Sequence, residues 1–443
     1  MGPKPVLSVI GLGKLGLPML ATCAEKGYDV IGADSNPQTV ALLNKGVPPS
    51  EEPLLHEYLR RNKTRISATT SVAAAVSESD ISFVIVPTPS DETGAFTNRL
   101  VLDAIEQVGA GLRSKAEYHL VVLSSTVMPG SGRSEIVPAL ESASGKICGD
   151  EFGYCYSPQF VALGTVIKDL LNPDFCLIGE SDSQAGGVLQ KLYTEFCENQ
   201  PVIKRMNYLN AELTKISVNA YLTTKISFAN TLSELCERLP GANIEVVGNA
   251  VGEDSRIGAT YLRGGTAYGG PCFPRDNIAF SALCRSLGVP PKLAEATDIV
   301  NERQAKRVFD RIVPMLAPKA RVSILGTAYK TRVNFIGQSQ GIDLSRMFAA
   351  NGFNVTVFDP VAMDTTRELL GNAVCYSSSL RDAVKDADAV LIMLPYDEFR
   401  SIDLSILASR ETVVLDCWRL LERHKFDAAP NYLALGVNSQ AAT

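Results

Sequence analysis

Short apolar runs recur along the first third of the chain, with stretches of helix-forming residues between them. Val6–Ile10, Asp29–Ala33, Ile81–Val86 and Leu120–Ser124 read as strands of a parallel sheet buried on both faces. The pattern then stops. From about Asn207 to Leu239 there is one long run of good helix formers without proline or glycine, beginning YLNAELTKISVNAYL, which predicts a single long helix. After Pro314 and Pro318 the apolar runs return at Arg321–Leu325, Asn354–Phe358, Ala389–Leu394 and Thr412–Asp416, a weak echo of the first half. The pattern predicts an α/β chain of two doubly wound units joined by a helical segment. Boundaries fall at 1–205, 206–318 and 319–443, with the final dozen residues read as a frayed end.

Composition narrows the class. With 443 residues, 46% of them hydrophobic, the chain exceeds what one core usually organises. A net charge of −6 from interspersed acids and bases argues against nucleic acid or an anionic membrane as partner. Ten cysteines at irregular spacings, without a CxxC pair, suit thiols in a reducing, cytoplasmic setting, most of them small core residues. Lys14 and the glycines around it cut short the apolar start before it could serve as a signal peptide, and no run approaches the roughly 18 apolar residues of a membrane span. His56, His119 and His424 stand singly, so no metal site is expected and they read as surface or packing residues.

Directly after the first strand comes GLGKLG, with Gly11, Gly13 and Gly16 in G-x-G-x-x-G spacing and a helix-like run behind them. The first glycine permits a tight turn, the second lets backbone approach a pyrophosphate, and the third allows close helix–strand packing. Asp34 ends the second strand, where a carboxylate accepts ribose hydroxyls and repels a 2′-phosphate. The cofactor expected is therefore NAD, on a Rossmann-like domain. In the second half Gly326, in ILGTAYK, holds the equivalent turn but lacks the full glycine set; that half is expected to bind something else.

Candidate chemistry centres on Cys272. The stretch Gly269, Gly270, Pro271, Cys272, Phe273, Pro274 reads as neither helix nor strand, so the thiol is expected on a rigid loop, with Arg275 and Asp276 beside it. A cysteine near an NAD site can add to an aldehyde, giving a thiohemiacetal that loses hydride to become a thioester, which water hydrolyses. On the long helix Lys215 and Asn219 are four residues apart and share a face. They are either a donor pair for an oxyanion or part of a solvated face.

With these residues in view, the chain resembles the UDP-glucose/GDP-mannose dehydrogenase family over nearly its full length. The matching pieces, in order, are GLGKLGLP, SSTVMPG at 124–130, FVALGTVIKDLLNPDFCLIGE at 160–180, ELTKISVNAYL at 212–222, RIGATYLRGGTAYGGPCFPRDN at 256–277 and ILGTAYK at 324–330. The resemblance implies an N-terminal NAD domain, a helical dimerisation segment and a C-terminal domain for the nucleotide of the sugar donor. It implies Cys272 as nucleophile, Asp276 as activator of water, Lys215 and Asn219 as oxyanion stabilisers, and Thr126 near the nicotinamide and a catalytic water. Leu15, Thr88 and Arg275 join the cofactor set by the same resemblance. Phe160, Tyr261, Arg263, Tyr268, Gly269 and Lys330 join the substrate set, while Arg256 resembles an arginine that reaches a partner subunit's substrate. A homodimer or higher homo-oligomer follows, acting in polysaccharide biosynthesis.

Departures fall at the chemistry. Gln159 stands where the family carries a glutamate, and an amide cannot serve as a carboxylate base. Leu163 replaces a further acid, Arg275 a lysine, and Gly337 an arginine that would reach the cofactor. The leading expectation is oxidation of UDP-glucose to UDP-glucuronate in two hydride transfers, with Asp276 and Gln159 sufficing for hydrolysis. A two-electron oxidation of the same or another nucleotide sugar stays open, as does a non-catalytic binding paralogue.

Overall fold

The computed structural model describes residues 4–50, 52–402, 411–421 and 431–438; His424 lies outside them. The chain forms two compact units, Met1–Ser217 and Val218–Thr443.

The first unit is built on an eight-stranded sheet. Its strands are β1 (Leu7–Ile10), β2 (Val30–Ala33), β3 (Ile66–Thr69), β4 (Ile81–Val84), β5 (His119–Leu123), β6 (Phe152–Tyr156), β7 (Phe175–Glu180) and β8 (Val202–Asn207). They lie in the order β3-β2-β1-β4-β5-β6-β7-β8, every pair parallel except β6 with β7. Successive residues of β5 alternate between two packed layers. Leu120 and Val122 join Leu17, Leu20, Leu189 and Phe196, whereas Val121 and Leu123 join Val101, Ile105, Val108 and Leu140. Both faces are thus covered, as a parallel sheet requires.

The second unit carries β9 (Arg321–Leu325), β10 (Asn354–Phe358), β11 (Cys375–Tyr376), β12 (Ala389–Ile392), β13 (Val413–Asp416) and β14 (Tyr432–Ala434). These form a parallel sheet ordered β11-β10-β9-β12-β13-β14, the doubly wound arrangement. The long helix runs from Tyr208 to Arg238 and passes through the division between the units.

Three expectations need correction. The strand pattern does not stop after β5, because β6, β7 and β8 extend the first sheet. The end of the chain is not simply frayed: β14 pairs with β13, the Tyr432 hydroxyl reaches Asp416 over 3.1 Å, and Leu435 is buried. The residues after Cys272 are not loop, for a helix begins at Phe273 and runs to Ser286, with Pro274 in its opening turn. A proline there blocks no helical bond, since the first N–H groups have no intrahelical acceptor.

Candidate active site

In the first unit the turn after β1 has the shape that a dinucleotide needs. Gly11 sits at φ +92°, and a Cβ there would fall 2.2 Å from the Ile85 carbonyl oxygen. A Cβ on Gly16 would meet the Gly11 oxygen at 1.8 Å, whereas one on Gly13 meets nothing within 4 Å. Gly11 and Gly16 therefore close the turn, and Gly13 leaves room for phosphate. The following helix, Gly16–Glu25, has no side-chain cap at Leu15 and no acid in its first turn, so its N-terminus can receive an anion. Asp34 accepts from Leu12 N at 2.7 Å and from Asn36 N at 2.8 Å, which fixes a half-buried carboxylate at the end of β2. These residues fit NAD.

The second unit repeats the device in a form the sequence hides. Gly326 is at φ +99°, and a Cβ on Gly341 would come 2.2 Å from the Gly326 oxygen. Gly341 therefore fills the third glycine's role, which corrects the reading that this turn lacks it; a loop separates the two. Asp359, at the end of β10, accepts from Thr327 N and Ala328 N at 2.8 and 2.9 Å, as Asp34 does from Leu12.

Beyond β5 the SSTVMPG loop is held at several points. Ser124 Oγ donates to the Ser157 carbonyl, Ser125 Oγ to that of Val86, and Thr88 Oγ1 to that of Thr126 at 2.7 Å. The structure thus brings Thr88 and Thr126 together. Lys215 is buried; its Nζ donates to the Gln159 carbonyl at 2.9 Å and lies 4.4 Å from the Phe160 ring centroid. A solvated face at this point of the helix is excluded.

Gln159 is oriented by a short relay. Its Nε2 donates to the Ser157 carbonyl at 3.2 Å and to the Tyr193 hydroxyl at 3.1 Å. Because a carbonyl only accepts, the amide orientation is fixed chemically, and Oε1 is left as an acceptor. Burial pushes the Tyr193 hydroxyl well above its ordinary range, so it remains a neutral partner. Near Leu163 a carboxylate arrives from elsewhere in the chain: Glu52 accepts from Gly164 N and Val166 N at 3.0 and 2.7 Å. Neither Tyr193 nor Glu52 carries a motif that would have marked it.

In the second unit Cys272 is exposed and immediately precedes the helix Phe273–Ser286, whose N-terminus favours negative charge on the sulfur. Asp276 N closes the first turn on the Cys272 carbonyl at 2.8 Å. Asn219 Nδ2 donates to Asp276 Oδ2 at 2.6 Å, with both side chains buried. Beside them Asn277 donates to the Ala294 carbonyl at 2.9 Å. Arg275 lies half-buried on the same helix.

The loop before Cys272 is pressed against residues 329–338. A Cβ on Gly269 would strike the Gln338 carbonyl oxygen at 2.2 Å, and one on Gly270 the Tyr329 ring at 2.4 Å. Gly270 N donates to the Gly337 carbonyl at 3.1 Å, so Gly337 lies against the loop that precedes Cys272. Tyr329 is pushed up to about 12 by burial, with the nearby Cys272 thiol adding to the shift.

The other expected substrate residues are more dispersed. The Tyr268 hydroxyl donates to Asp298 at 2.8 Å and its main chain is bracketed by Asn301. Tyr261 is exposed in the left-handed region at φ +69°, its ring 6.2 Å from that of Phe273. Arg256 is exposed and pairs with Asp254 at 2.6 Å. The exposed Arg263 presents its carbonyl to Arg419 at 2.9 Å, and Lys330 Nζ lies 5.9 Å from the Tyr329 ring centroid. Among the described residues no group of three or more His, Cys, Asp or Glu could hold a metal ion, and no helix is long and apolar enough to cross a membrane.

Comparison with known proteins gives three family matches. The NAD binding domain of the UDP-glucose/GDP-mannose dehydrogenase family matches residues 6–197, its central domain 209–303 and its UDP binding domain 323–423. The UDP-glucose 6-dehydrogenase AglM of Haloferax volcanii is 35% identical over 424 residues, covering 95% of this chain and 98% of its own. TuaD, the UDP-glucose 6-dehydrogenase of Bacillus subtilis, is 32% identical, covering 96% and 91%. The structure of a UDP-glucose dehydrogenase from Pyrobaculum islandicum superposes with a TM-score of 0.88 at 32% identity, covering 99% of this chain and all of that one.

Proposed function

Because the chain belongs to the UDP-glucose/GDP-mannose dehydrogenase family, we propose that it is an NAD-dependent nucleotide-sugar 6-dehydrogenase, converting UDP-glucose to UDP-glucuronate. Gly11, Gly13, Leu15, Gly16 and Asp34 would hold NAD, with Thr88, Thr126 and Arg275 beside it; when bound, it takes up the hydride of each oxidation. Lys215 and Asn219 donate to the sugar C6 oxygen as it becomes an alkoxide and later a tetrahedral oxyanion. After the first hydride leaves, the Cys272 sulfur adds to the aldehyde carbon, and the carbonyl oxygen takes a proton to complete a thiohemiacetal. Loss of the second hydride leaves a thioester. Asp276 takes a proton from water as the water oxygen attacks the thioester carbon, the C–S bond breaks and the thiol is regenerated. Gln159, which cannot act as a base, would serve by its Oε1 as a hydrogen-bond acceptor that orients water. In balance, one alcohol, two NAD⁺ and one water give one carboxylate, two NADH and three protons.

The observation that carries this reading is the 2.6 Å bond from Asn219 to Asp276, which ties the long helix to the helix headed by Cys272. A two-electron oxidation that stops at the aldehyde is the second reading, favoured by Gln159 and Leu163 in place of acids. Counting NADH per sugar separates them. Two NADH per UDP-glucose, lost in Cys272→Ala, support the four-electron reaction; one supports the second; none, with NAD still bound, counts against both for this sugar. The reading extends to a homodimer built on the long helix, with Arg256 reaching the partner's substrate. All ten cysteines remain as thiols, which suits work in a reducing cytoplasm.

A further inference from the structure

Glu212 lies on the long helix one turn before Lys215, and its side chain is fully buried. Its two carboxylate oxygens face one stretch of backbone: Gly130 N donates to Oε2 at 2.6 Å and Gly132 N to Oε1 at 2.9 Å. Gly130 ends the SSTVMPG segment, and Gly132 opens a π-helical turn, Gly132–Ile136. The contact is closely fitted, since a Cβ on Gly132 would fall 2.7 Å from Glu212 Oε1 and 2.8 Å from the Tyr208 ring. Three residues further along the helix, Lys215 holds the Gln159 carbonyl. One helical turn therefore grips two separate loops, the one after β5 that bears Thr126 and the one after β6 that bears Gln159 and Phe160.

We propose that Glu212 is a positioning residue for the dehydrogenase reaction: its carboxylate clamps the Thr126 loop to the helix turn that carries Lys215, fixing both groups in register. The inference rests on the function proposed above. The carboxylate is held in this position by two backbone amides although burial disfavours its charge. Burial pushes Glu212 up to about 7, against the downward pull of the two glycine amides. The titratable neighbours are Tyr154 from β6, which feels its charge, and Tyr208 on its own helix, which feels both Glu212 and Arg133. A buried carboxyl that grips a loop backbone one turn from Lys215 is the kind of placement expected where function constrains the residue.

The experiment pairs steady-state kinetics with amide hydrogen exchange on the purified full chain, comparing wild type with Glu212→Gln and Gly132→Ala. Glutamine offers one acceptor and sets its NH₂ against the other glycine amide, and alanine at 132 pushes the carboxylate away from the loop side. The expected result is a fall in kcat of about tenfold or more in each variant, with KM for UDP-glucose and NAD changed less than about twofold. Exchange across 128–132 should also speed up by about tenfold. A variant that keeps kcat within about twofold, a loss confined to KM, or unchanged exchange in both variants overturns the proposal. The exchange measurement needs no substrate. If wild type turned over no nucleotide sugar, the dehydrogenase reading would fall while exchange still judged the clamp. Should one variant fail to fold, the other carries the test.

Discussion

Asn219 and Asp276 are joined by a 2.6 Å hydrogen bond between buried side chains, one from the long helix and one from the helix that follows Cys272. The bond fixes one carboxylate oxygen of Asp276 against a neutral amide. That suits a group that must take a proton from water while a thioester is attacked. Asp276→Asn keeps the shape and removes the acceptor charge. The expected outcome is a fall in kcat of about a hundredfold or more, with hydrolysis rather than oxidation limiting. Intact-mass measurement during turnover should then find sugar nucleotide attached to the Cys272 peptide. Loss of activity with an unmodified Cys272 would place Asp276 before thioester formation instead.

The Gln159 relay has its own test. Nε2 must donate to the Ser157 carbonyl, so a carboxylate at 159 would oppose a carbonyl oxygen at close range. Gln159→Glu is expected to lose about 1–3 kcal/mol of stability at neutral pH. The sign with pH is defined. The new carboxyl would be held above its unfolded value, so the deficit should shrink as pH falls and the protonated form can donate to Ser157 again. Chemical unfolding of wild type and variant at about pH 5 and about pH 8 gives the comparison. A deficit that does not vary with pH would mean that the side chain has turned away from Ser157.

Much of this arrangement was legible in the sequence, and the gaps have physical causes. The runs at β1, β2, β4, β5, β9, β10, β12 and β13 stand out because those strands are buried on both faces. β3 and β8 are edge strands with half-exposed side chains, as in VIKRMN, and they leave no apolar run. β6, FGYCY, is fully buried, but a glycine between aromatics disguises it. Gly341 was hidden by the loop separating it from Gly326, for a motif of fixed spacing cannot see an insertion. Cys272, Lys215 and Asn219 drew notice by residue type and spacing, with a solvated face left open for the helix pair, and the roles expected of them and of Asp276 came from the family resemblance. Glu212 drew none, because a glutamate within a helix reads as a solvated side chain until the glycines facing it are seen.

The long helix also makes a prediction about assembly. Tyr221, Phe228 and Leu235 recur every seven residues and are 61%, 52% and 50% exposed in the single chain. An exposed apolar stripe at heptad spacing is the seam through which two helices pack. Light scattering at micromolar concentration should find a dimer, and Phe228→Glu should shift it toward monomer by burying an unpaired charge at the centre of the seam. A monomeric wild type would remove the stripe's explanation and with it the role proposed for Arg256.

His119 should make the first unit sensitive to acid. Its ring is buried, with Nε2 at 2.8 Å from Ser82 Oγ and Nδ1 at 3.0 Å from the Ser79 carbonyl. Burial, with Lys115 nearby, pulls the ring down to about 3. Since Nδ1 faces a carbonyl it carries the proton, which leaves Nε2 to accept from Ser82 in the neutral ring. The unfolded chain takes up a second proton near pH 6.5 and the folded one does not, so stability is lost progressively as pH falls below that value. At about pH 5 the expected loss from this residue is about 2 kcal/mol relative to neutral pH. His119→Gln gives up the packing of the ring but cannot ionise, so its stability relative to wild type should improve between about pH 7 and about pH 5 when both are unfolded in urea. Parallel pH dependences would show that His119 is protonated in the folded chain, and that the Ser82 hydroxyl has turned to accept from it.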